Sequence, residues 1–361
     1  MKHILKSFIC FLIVLACIVG VNIWGDPANL TQNEAFYDRM CHIMMQGYNI
    51  EHVADYRDRV FQQRAARLIE KPETIIFGSS RIQQIDSSIC GTTTWNAGVS
   101  GATTQDVCGL YQVFRNNGKI GKRVILGVDL WTLNGTYYDA RSSLYLSQPL
   151  AQFMTDLVGV PTKAPKQTST LWSDLTELTS LSYFQSSINY LMSDNHQGRM
   201  RDLITSTEPT SYYGMLRYDG SYVYPNSYIY VNQNVVEERV GAATTSVVDP
   251  MVYWQGIDPN LQQMYEALCN DIVNNGSELV IIISPIHPIS YYEIQKRGGE
   301  PAVFEIETYL HDLADSLGAT VLGSFDPWAN YCDYSDFMDA LHITPMTTER
   351  LWKPELSKNK H

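Results

Sequence analysis

The chain has 361 residues, enough for one large α/β domain with an insertion or for two small domains. Apolar residues make up 45% of it and charged residues 18%, so the chain can bury a packed core and is not globally disordered. Its formal charge of -12 argues against binding to nucleic acid and against docking on anionic lipid by charge alone, because both need clustered Lys and Arg.

The N-terminus carries the most apolar stretch of the chain. Lys2 and Lys6 precede an uncharged run over residues 7–25, whose ~17–20 apolar residues match the hydrocarbon thickness of a bilayer. Basic residues on this flank keep the N-terminus in the cytoplasm, so residues 1–26 are predicted as a cytoplasmic stub and transmembrane anchor, with the remainder outside the cytoplasm. A cleaved signal peptide and a lipoprotein attached at Cys17 are the alternatives, but the apolar residues that continue past Cys17 favour the anchor.

Beyond the anchor, apolar runs alternate with helical patterns. Residues 27–70 are predicted as a helical juxtamembrane segment, with one helix over 32–70 that ends before Pro72. The main domain is predicted over 71–361. Its strands are expected at 74–77, 94–98, 123–130, 278–284 and 319–322, and its helices at 103–117, 259–275 and 301–317. Strands that alternate with helices predict an α/β fold, a doubly wound parallel sheet of about five strands.

The alternation stops after the third strand. Residues 135–255 show no clear strand–helix repeat and are interpreted as an insertion, a cap over the sheet. Asp219-Gly220 predicts a hairpin turn, because this dipeptide accepts the positive φ that tight turns need. The segment 212–230 is rich in Tyr, whose rings either stack on sugars or pack within the hairpin, and the sequence leaves both open.

Seven cysteines are present, two of them, Cys10 and Cys17, in the anchor. None of the other five forms a Cys-x-x-Cys pair or a zinc-ligand cluster. A disulfide, with Cys90 and Cys108 as the nearest pair, is one interpretation, and buried free thiols are the favoured one. No metal and no cofactor is predicted, because motifs for nucleotide and zinc chemistry do not occur.

Chemistry in a doubly wound sheet is expected at the carboxyl ends of the strands. The first strand leads into a Gly-Ser-Ser-Arg turn at residues 78–81, where Ser80 would be exposed beside backbone N–H groups that favour negative charge. A serine in such a turn also caps a helix, which is its commoner role. The second strand leads into Asn96 and Gly98, where a glycine lets the backbone approach a substrate and frees an N–H for an oxyanion.

An acid and a histidine stand near the C-terminus. Asp339 and His342 are three residues apart, so on a helical turn or in a tight loop they share one side. A carboxylate beside an imidazole fixes the tautomer of the ring and stabilises its protonated form. An Asp-x-x-His pair also occurs by chance on protein surfaces, so the pair alone does not identify a catalytic site.

In this order, the serine turn, the glycine turn and the Asp-x-x-His pair resemble the sequence blocks of the SGNH (GDSL-like) hydrolase superfamily. The resemblance covers about residues 70–345 apart from the insertion, and implies an SGNH/flavodoxin-like sheet that carries a serine esterase or acyltransferase site. Matched residue by residue, it makes Ser80 the nucleophile, His342 the general base and Asp339 the acid that orients the histidine.

The resemblance also implies an oxyanion hole, formed by the N–H of Ser80 and by Gly98. The third block of the family, Gly-x-Asn-Asp, is absent, so its asparagine donor is missing or is supplied by Asn96 or Asn134. Losing one such donor costs ~10²–10³ in rate. The usual first-block Asp is Ser79 in this chain, and Asp129 stands near the place of the third block.

Three further residues are candidates for substrate binding or support. Asp129 follows the third strand. Arg81 would bind an anionic glycan group or brace the Ser80 turn. His287, after the fourth strand, would contact substrate or pack beside its neighbouring prolines.

The anchor, the Gly-Ser-Ser-Arg turn and the Asp-Gly hairpin more specifically resemble bacterial surface-glycan O-acylation proteins of the DltD-like, AlgJ-like and AlgX-like groups. That resemblance implies a surface polysaccharide as acceptor, an acyl donor, and a membrane-bound O-acyltransferase as partner. We therefore expect extracytoplasmic O-acyl transfer, most simply of acetyl, at the bacterial cell membrane. A glycan O-acetylesterase and a non-catalytic glycan-binding scaffold are the alternatives.

Overall fold

The structure is a computed structural model, and it describes residues 2–25, 34–51, 56–137, 140–164, 176, 178–192, 203–207 and 214–358. Residues 1 and 26 of the predicted anchor and parts of the predicted juxtamembrane segment (27–33 and 52–55) lie outside the described residues. So do parts of the predicted insertion, including Tyr212 and Tyr213 of its Tyr-rich segment.

The described residues form helices and strands in alternation over most of the chain. The helices are α1 (Lys2–Gly25), α2 (Glu34–Met45), α3 (Asp58–Leu68), α4 (Ser87–Cys90), α5 (Thr104–Asn116), α6 (Ala140–Tyr145), α7 (Ser147–Phe153), α8 (Leu181–Met192), α9 (Asn226–Ile229), α10 (Gln233–Val252), α11 (Pro259–Asn274), α12 (Pro288–Lys296), α13 (Glu300–Leu317) and α14 (Pro345–Leu356). The strands are β1 (Asn49–Glu51), β2 (Thr74–Phe77), β3 (Thr94–Asn96), β4 (Arg123–Val128), β5 (Ile204–Ser206), β6 (Met215–Leu216), β7 (Tyr222–Val223), β8 (Glu278–Ile283) and β9 (Thr320–Gly323).

Five strands form one parallel sheet in the order β3-β2-β4-β8-β9. This confirms the predicted α/β class and the parallel sheet. In chain order the sheet reads 2-1-3-4-5, so the winding reverses between β2 and β4. In sheets of this order ligands bind at the reversal, beyond the carboxyl ends of these two strands.

Both faces of the sheet are buried except at the edge strand β9, which explains why β2, β4 and β8 are apolar without alternation. Ile75 and Phe77 of β2 face a large core that includes side chains of α3, α5, α11 and α13. Ile76, between them, faces a smaller core with side chains of α4 and α14.

A second, antiparallel sheet has the order β5-β1-β6-β7. The hairpin of β6 and β7 turns at Asp219-Gly220, as the dipeptide predicted, and Gly220 has φ +79°. The turn contacts the edge of the parallel sheet, where the N–H of Asn96 donates to the carbonyl of Asp219 at 2.8 Å. A Cβ on Gly220 would stand 2.5 Å from the carbonyl oxygen of Asn96, so this approach requires glycine.

Two sequence predictions about helices were wrong. The single helix over 32–70 is divided into α2 and α3, with β1 between them, because Gly47 with φ +85° ends the first helical stretch. Within 135–255, the long helix α10 was missed, because Gly241 and Pro250 lie inside its sequence and indicate breaks.

Helix α1 is long and apolar enough to span a membrane over Leu5–Gly25. The second half of α1 packs against α8, and the fully buried amide of Asn22 donates to the carbonyl of Leu178 at 2.8 Å. At Gly25 the two helices approach so closely that a Cβ would lie 2.8 Å from Cβ of Ser187. Glycine at position 25 permits this close approach.

All seven cysteines are free thiols, and five of them are buried. The disulfide interpretation, with Cys90 and Cys108 as the nearest pair, was therefore wrong.

Candidate active site

The turn after β2 places a serine at the reversal point of the sheet. Gly78 has φ +151°, and a Cβ on it would stand 3.0 Å from the backbone of Gly127 in β4, so the turn passes close to the neighbouring strand. Ser79 is the residue that caps the following 3₁₀ turn, since its Oγ accepts from the N–H of Arg81 at 3.2 Å. The hydroxyl of Ser80 is therefore not used as a cap.

Ser80, His342 and Asp339 form a continuous hydrogen-bonded chain. Oγ of Ser80 lies 2.8 Å from Nε2 of His342, and Nδ1 of the same ring lies 2.7 Å from Oδ2 of Asp339. Both contacts have the length and order of a nucleophile, a general base and an orienting acid. His342 and Asp339 have side chains only 17% and 13% exposed, so the arrangement is sheltered and still reachable.

The loop between a 3₁₀ turn (Tyr334–Asp336) and α14 holds the acid and the histidine. It is a tight loop and not a helical turn: an isolated bridge joins Phe337 to Ile343, and the N–H of Met338 donates to the carbonyl of His342. Oδ1 of Asp339 accepts from the N–H of Leu341 at 2.7 Å and of His342 at 2.8 Å. The carboxylate thus fixes the loop with one oxygen and the imidazole with the other.

Asp339 is ionised in this site. Burial acts to raise the pKa of Asp339, but the hydrogen bond and charge of His342 and the hydroxyl of Tyr228 together hold that pKa well below its ordinary value. The hydroxyl of Tyr228 donates to Oδ2 at 2.5 Å. Burial and the nearby carboxylate raise the pKa of Tyr228, so the phenol keeps the proton that it donates.

Three residues that the sequence did not single out support the site from the 135–255 stretch. Tyr228 is one; Arg239 stands over its ring at 4.1 Å and donates to the carbonyl of Met338 at 2.9 Å. Tyr224 stacks on Tyr228, packs at 5.5 Å from the ring of His342, and its hydroxyl lies 3.4 Å from the carbonyl of Ser80. The Tyr-rich composition of 212–230 was the only signal for the two tyrosines, and nothing in the spacing tied it to the triad; no sequence signal pointed to Arg239.

Arg81 supports the site through buried hydrogen bonds. Its guanidinium is buried and pairs with Asp129 at 3.2 Å, so these two predicted residues lie together. It also donates to the carbonyls of Leu341, Ser284 and Pro285, which joins the carboxyl ends of β2, β4 and β8 to the histidine loop.

Asp129 and Arg81 are an ion pair. Burial raises the pKa of Asp129 and Arg81 opposes that rise, but a guanidinium stays protonated in proteins and needs the carboxylate beside it. With its donors already bonded in this way, Arg81 is placed for support and not for binding an anionic group.

The glycine turn after β3 lies next to the serine turn, but its donors are already used. The N–H of Gly98 donates to Oδ1 of Asn96 at 3.0 Å, and Nδ2 of Asn96 donates to the carbonyls of Ile82 and Ile85. Among the described residues, the N–H of Ser80 and Nδ2 of Asn134 have no hydrogen-bond acceptor.

His287 is fully buried and does not face solvent. Its Nδ1 caps α12 by accepting from the N–H of Ile289 at 3.2 Å, and its ring packs edge-on against Tyr334 and Phe337. Burial lowers the pKa of His287 to about 4, so the ring is neutral at pH 7. The sequence left two roles open for His287, substrate contact and packing. The structure shows it packed.

Within the part of the chain that the structure describes, no group of three or more His, Cys, Asp and Glu side chains is placed to hold a metal ion. The chemistry that this arrangement offers is that of a hydroxyl activated by an imidazole–carboxylate pair.

Comparison with known proteins finds no family model that matches the chain and no match among curated proteins.

Proposed function

We propose that this protein is a membrane-anchored serine acyltransferase of the SGNH type, which moves an acyl group, most simply acetyl, onto a hydroxyl of an extracytoplasmic polysaccharide. The observation that carries the proposal is the unbroken chain from Ser80 through His342 to Asp339, with both links below 3 Å. Its position at the reversal point of a parallel sheet supports the same reading.

The residues have separate tasks in this proposal. His342 accepts the proton of Ser80 through Nε2 as Oγ attacks the carbonyl carbon of the donor ester, and returns it to the leaving alcohol. Asp339 holds the ring through Nδ1 and stabilises its protonated form. His342 then takes the proton of the glycan hydroxyl as that oxygen attacks the acyl-Ser80 carbonyl, and gives the proton to Oγ of Ser80 as the bond between the acyl carbon and Oγ breaks.

Negative charge on the carbonyl oxygen needs donors in both steps. We assign the N–H of Ser80 and Nδ2 of Asn134 to this role. The other two candidate donors are already bonded: the N–H of Gly98 donates to Oδ1 of Asn96, and Nδ2 of Asn96 donates to the carbonyl of Ile82. Asn134 follows β4, the neighbour of β2, and so stands at the same edge of the sheet as Ser80.

The membrane setting is also part of the proposal. Helix α1 would cross the bilayer with the basic Lys2 and Lys6 in the cytoplasm, which places the Ser80 site on the outer side. An acyl donor must then be supplied across the membrane, and a membrane-bound O-acyltransferase is the partner we propose for that step.

The test uses the full chain in detergent micelles, incubated with an acetyl ester donor and with a serine-reactive fluorophosphonate probe. We expect mass spectrometry to find acetyl, or the probe, on the peptide that contains Ser80. The adduct should vanish in Ser80→Ala and persist in Ser316→Ala, a substitution on the outer surface of α13.

The outcomes separate the three functions. Acetyl that passes from Ser80 to a polysaccharide hydroxyl supports the transferase, and acetyl released only to water identifies an esterase. An adduct absent from folded wild-type protein overturns the enzymatic proposal and leaves a glycan-binding scaffold.

A further inference from the structure

Helix α8 carries an apolar stripe along one side. None of its 12 residues is charged. At about 3.6 residues per turn, the stripe occupies roughly 100° of the helix and consists of Leu181, Phe184, Ile188, Leu191 and Met192. Leu181 and Met192, near the two ends of the helix, are 69% and 81% exposed. The stripe is therefore open to its surroundings at both ends.

The side of α8 opposite the stripe is polar. Ser182, Gln185, Ser186 and Asn189 are all exposed there. A helix with one apolar and one polar side is typical of helices that lie in the plane of a membrane–water interface. Such helices often add basic residues that attract anionic lipid. Because α8 has no charge, contact with the apolar part of the lipid is what would hold it.

A third side of α8 packs against the outer end of the α1 span. Ser187 is fully buried against Gly25, where a Cβ on the glycine would lie 2.8 Å from Cβ of the serine. Just before α8, the carbonyl of Ser180 accepts from Nδ2 of Asn22 at 3.3 Å. Both contacts fall within the last ~5 Å of the span, since a helical residue rises about 1.5 Å.

Two residues of α1 mark this level as the membrane surface. Trp24 is 59% exposed, and tryptophan is enriched at the interface between lipid and water. Asn22 is fully buried, so its amide is bonded within the protein and does not face acyl chains, where a polar group is costly. Helix α8 therefore meets α1 at the depth where interfacial helices lie.

We propose that α8 is an interfacial helix, whose apolar stripe contacts the acyl chains of the outer leaflet while its polar side faces water. The proposal rests on the proposed span of α1. Lipid is the occupant that we assign to the stripe, because α1 also exposes apolar side chains, those of Ile23 and Trp24, at the end that α8 contacts. The extracytoplasmic domain would then contact the membrane at two places.

The test measures the depth of single cysteines in the full chain. Cys10 and Cys17 are exposed and the other five cysteines are buried, so Cys10→Ala with Cys17→Ala is the background for labelling. Leu181→Cys and Met192→Cys then report the stripe, and Ser186→Cys is the matched control on the polar side. Each variant is labelled with the fluorophore NBD in detergent and reconstituted into phosphatidylcholine vesicles. Either a spin-labelled lipid or aqueous iodide is then added as quencher.

We expect the spin-labelled lipid to remove most of the emission at Leu181→Cys and Met192→Cys, and iodide to remove most of it at Ser186→Cys. A chain with Cys17→Ala alone keeps Cys10 as the reporter of α1, and the lipid quencher should act on it as well. The unlabelled background should show no emission, and thermal unfolding of each variant should match that of the wild-type protein.

The reporter at Cys10 separates failure of this proposal from failure of the anchor. With Cys10 quenched by lipid, quenching of both stripe labels by iodide would place α8 in water and overturn the proposal. Stripe labels that neither quencher reaches would also overturn it, since protein would then cover the stripe. Loss of lipid quenching at Cys10 as well as at the stripe would overturn the anchor together with the proposal.

Discussion

Tyr228 extends the triad by one member, because its hydroxyl donates to the same Asp339 oxygen that contacts the imidazole. The carboxylate is therefore fixed from two sides, and its position does not depend on the histidine loop alone. A hydrogen bond to a charged group contributes ~1.5–3 kcal/mol.

We expect Tyr228→Phe to slow acylation of Ser80 by about tenfold, equivalent to ~1.4 kcal/mol of barrier. The donor KM should stay the same, because Tyr228 is placed to hold the acid and not the donor. Rates of fluorophosphonate labelling and of donor turnover measure this. Tyr230→Phe, on a 78% exposed tyrosine two residues away, is the control. An unchanged rate in Tyr228→Phe would show that His342 and the backbone hold Asp339 without it.

His287 makes stability depend on pH. Its folded-state pKa of about 4 lies below the ordinary value of 6.5, because burial disfavours the charged ring. A lowered pKa means that the neutral ring stabilises the fold above pH 6.5, and that this contribution is lost as pH falls toward 4.

We expect the free energy of unfolding to fall between pH 6.5 and pH 4, and His287→Asn to reduce that fall. Asparagine keeps a cap acceptor for Ile289 and does not titrate. Chemical denaturation across this pH range measures the effect, with His311→Asn on the exposed face of α13 as the control. Equal pH profiles for the His287→Asn and wild-type proteins would show that the ring does not contribute.

At the scale of elements, the β6–β7 hairpin positions the tyrosines of the site. Its turn lies against β3, and the space above Gly220 is filled by the backbone of Asn96. Displacing the turn would move Tyr222 and Tyr224 away from the serine turn.

We expect Gly220→Ala to destabilise the protein by more than the ~1 kcal/mol of backbone strain alone, and to slow Ser80 labelling. Gly276→Ala is a matched control, because Gly276 has nearly the same φ, +81°, with no atom within 4 Å of the added Cβ. Thermal unfolding of the two variants separates the cost of backbone strain, which both share, from the cost of the steric clash, which only Gly220→Ala has. Equal losses of stability in the two variants would show that the hairpin shifts to accommodate the added methyl group at no cost in free energy.

The elements that could be predicted from the sequence are those that are buried on both faces, because such a strand has a continuous apolar run. Strands β2, β4 and β8 were located within about two residues because they are buried on both faces, and their position ordered the motifs that lie together around Ser80. Strands β1, β5 and β6 were missed because two or three residues give no pattern. The bond from Tyr228 to Asp339 joins residues 111 apart, and such a contact follows only from the folded arrangement.

At the scale of the whole molecule, helix α1 is long and apolar enough to attach the protein to a membrane. Charged residues at the centre of a membrane span cost ~2.5–3.5 kcal/mol each on insertion scales. Leu12 and Ile13 lie near the centre of the span Leu5–Gly25.

We expect the wild-type chain to remain with membranes after alkaline carbonate extraction, and Leu12→Arg combined with Ile13→Arg to release it. Leu5→Arg, at the end of the span beside Lys6, should behave as wild type. Mass spectrometry of the membrane-bound chain distinguishes the alternatives: a chain that begins after residue 25, or one that carries lipid on Cys17, would contradict the uncleaved anchor.

The hydrogen bond between Ser80 and His342 joins residues that are 262 positions apart. Because a ribosome makes a chain from its N-terminus, the serine turn can fold while the histidine loop has yet to be synthesised. In the proposed mechanism Ser80 therefore has no general base until residue 342 has been made, and we expect a chain arrested before residue 339 to be inert toward acyl donors.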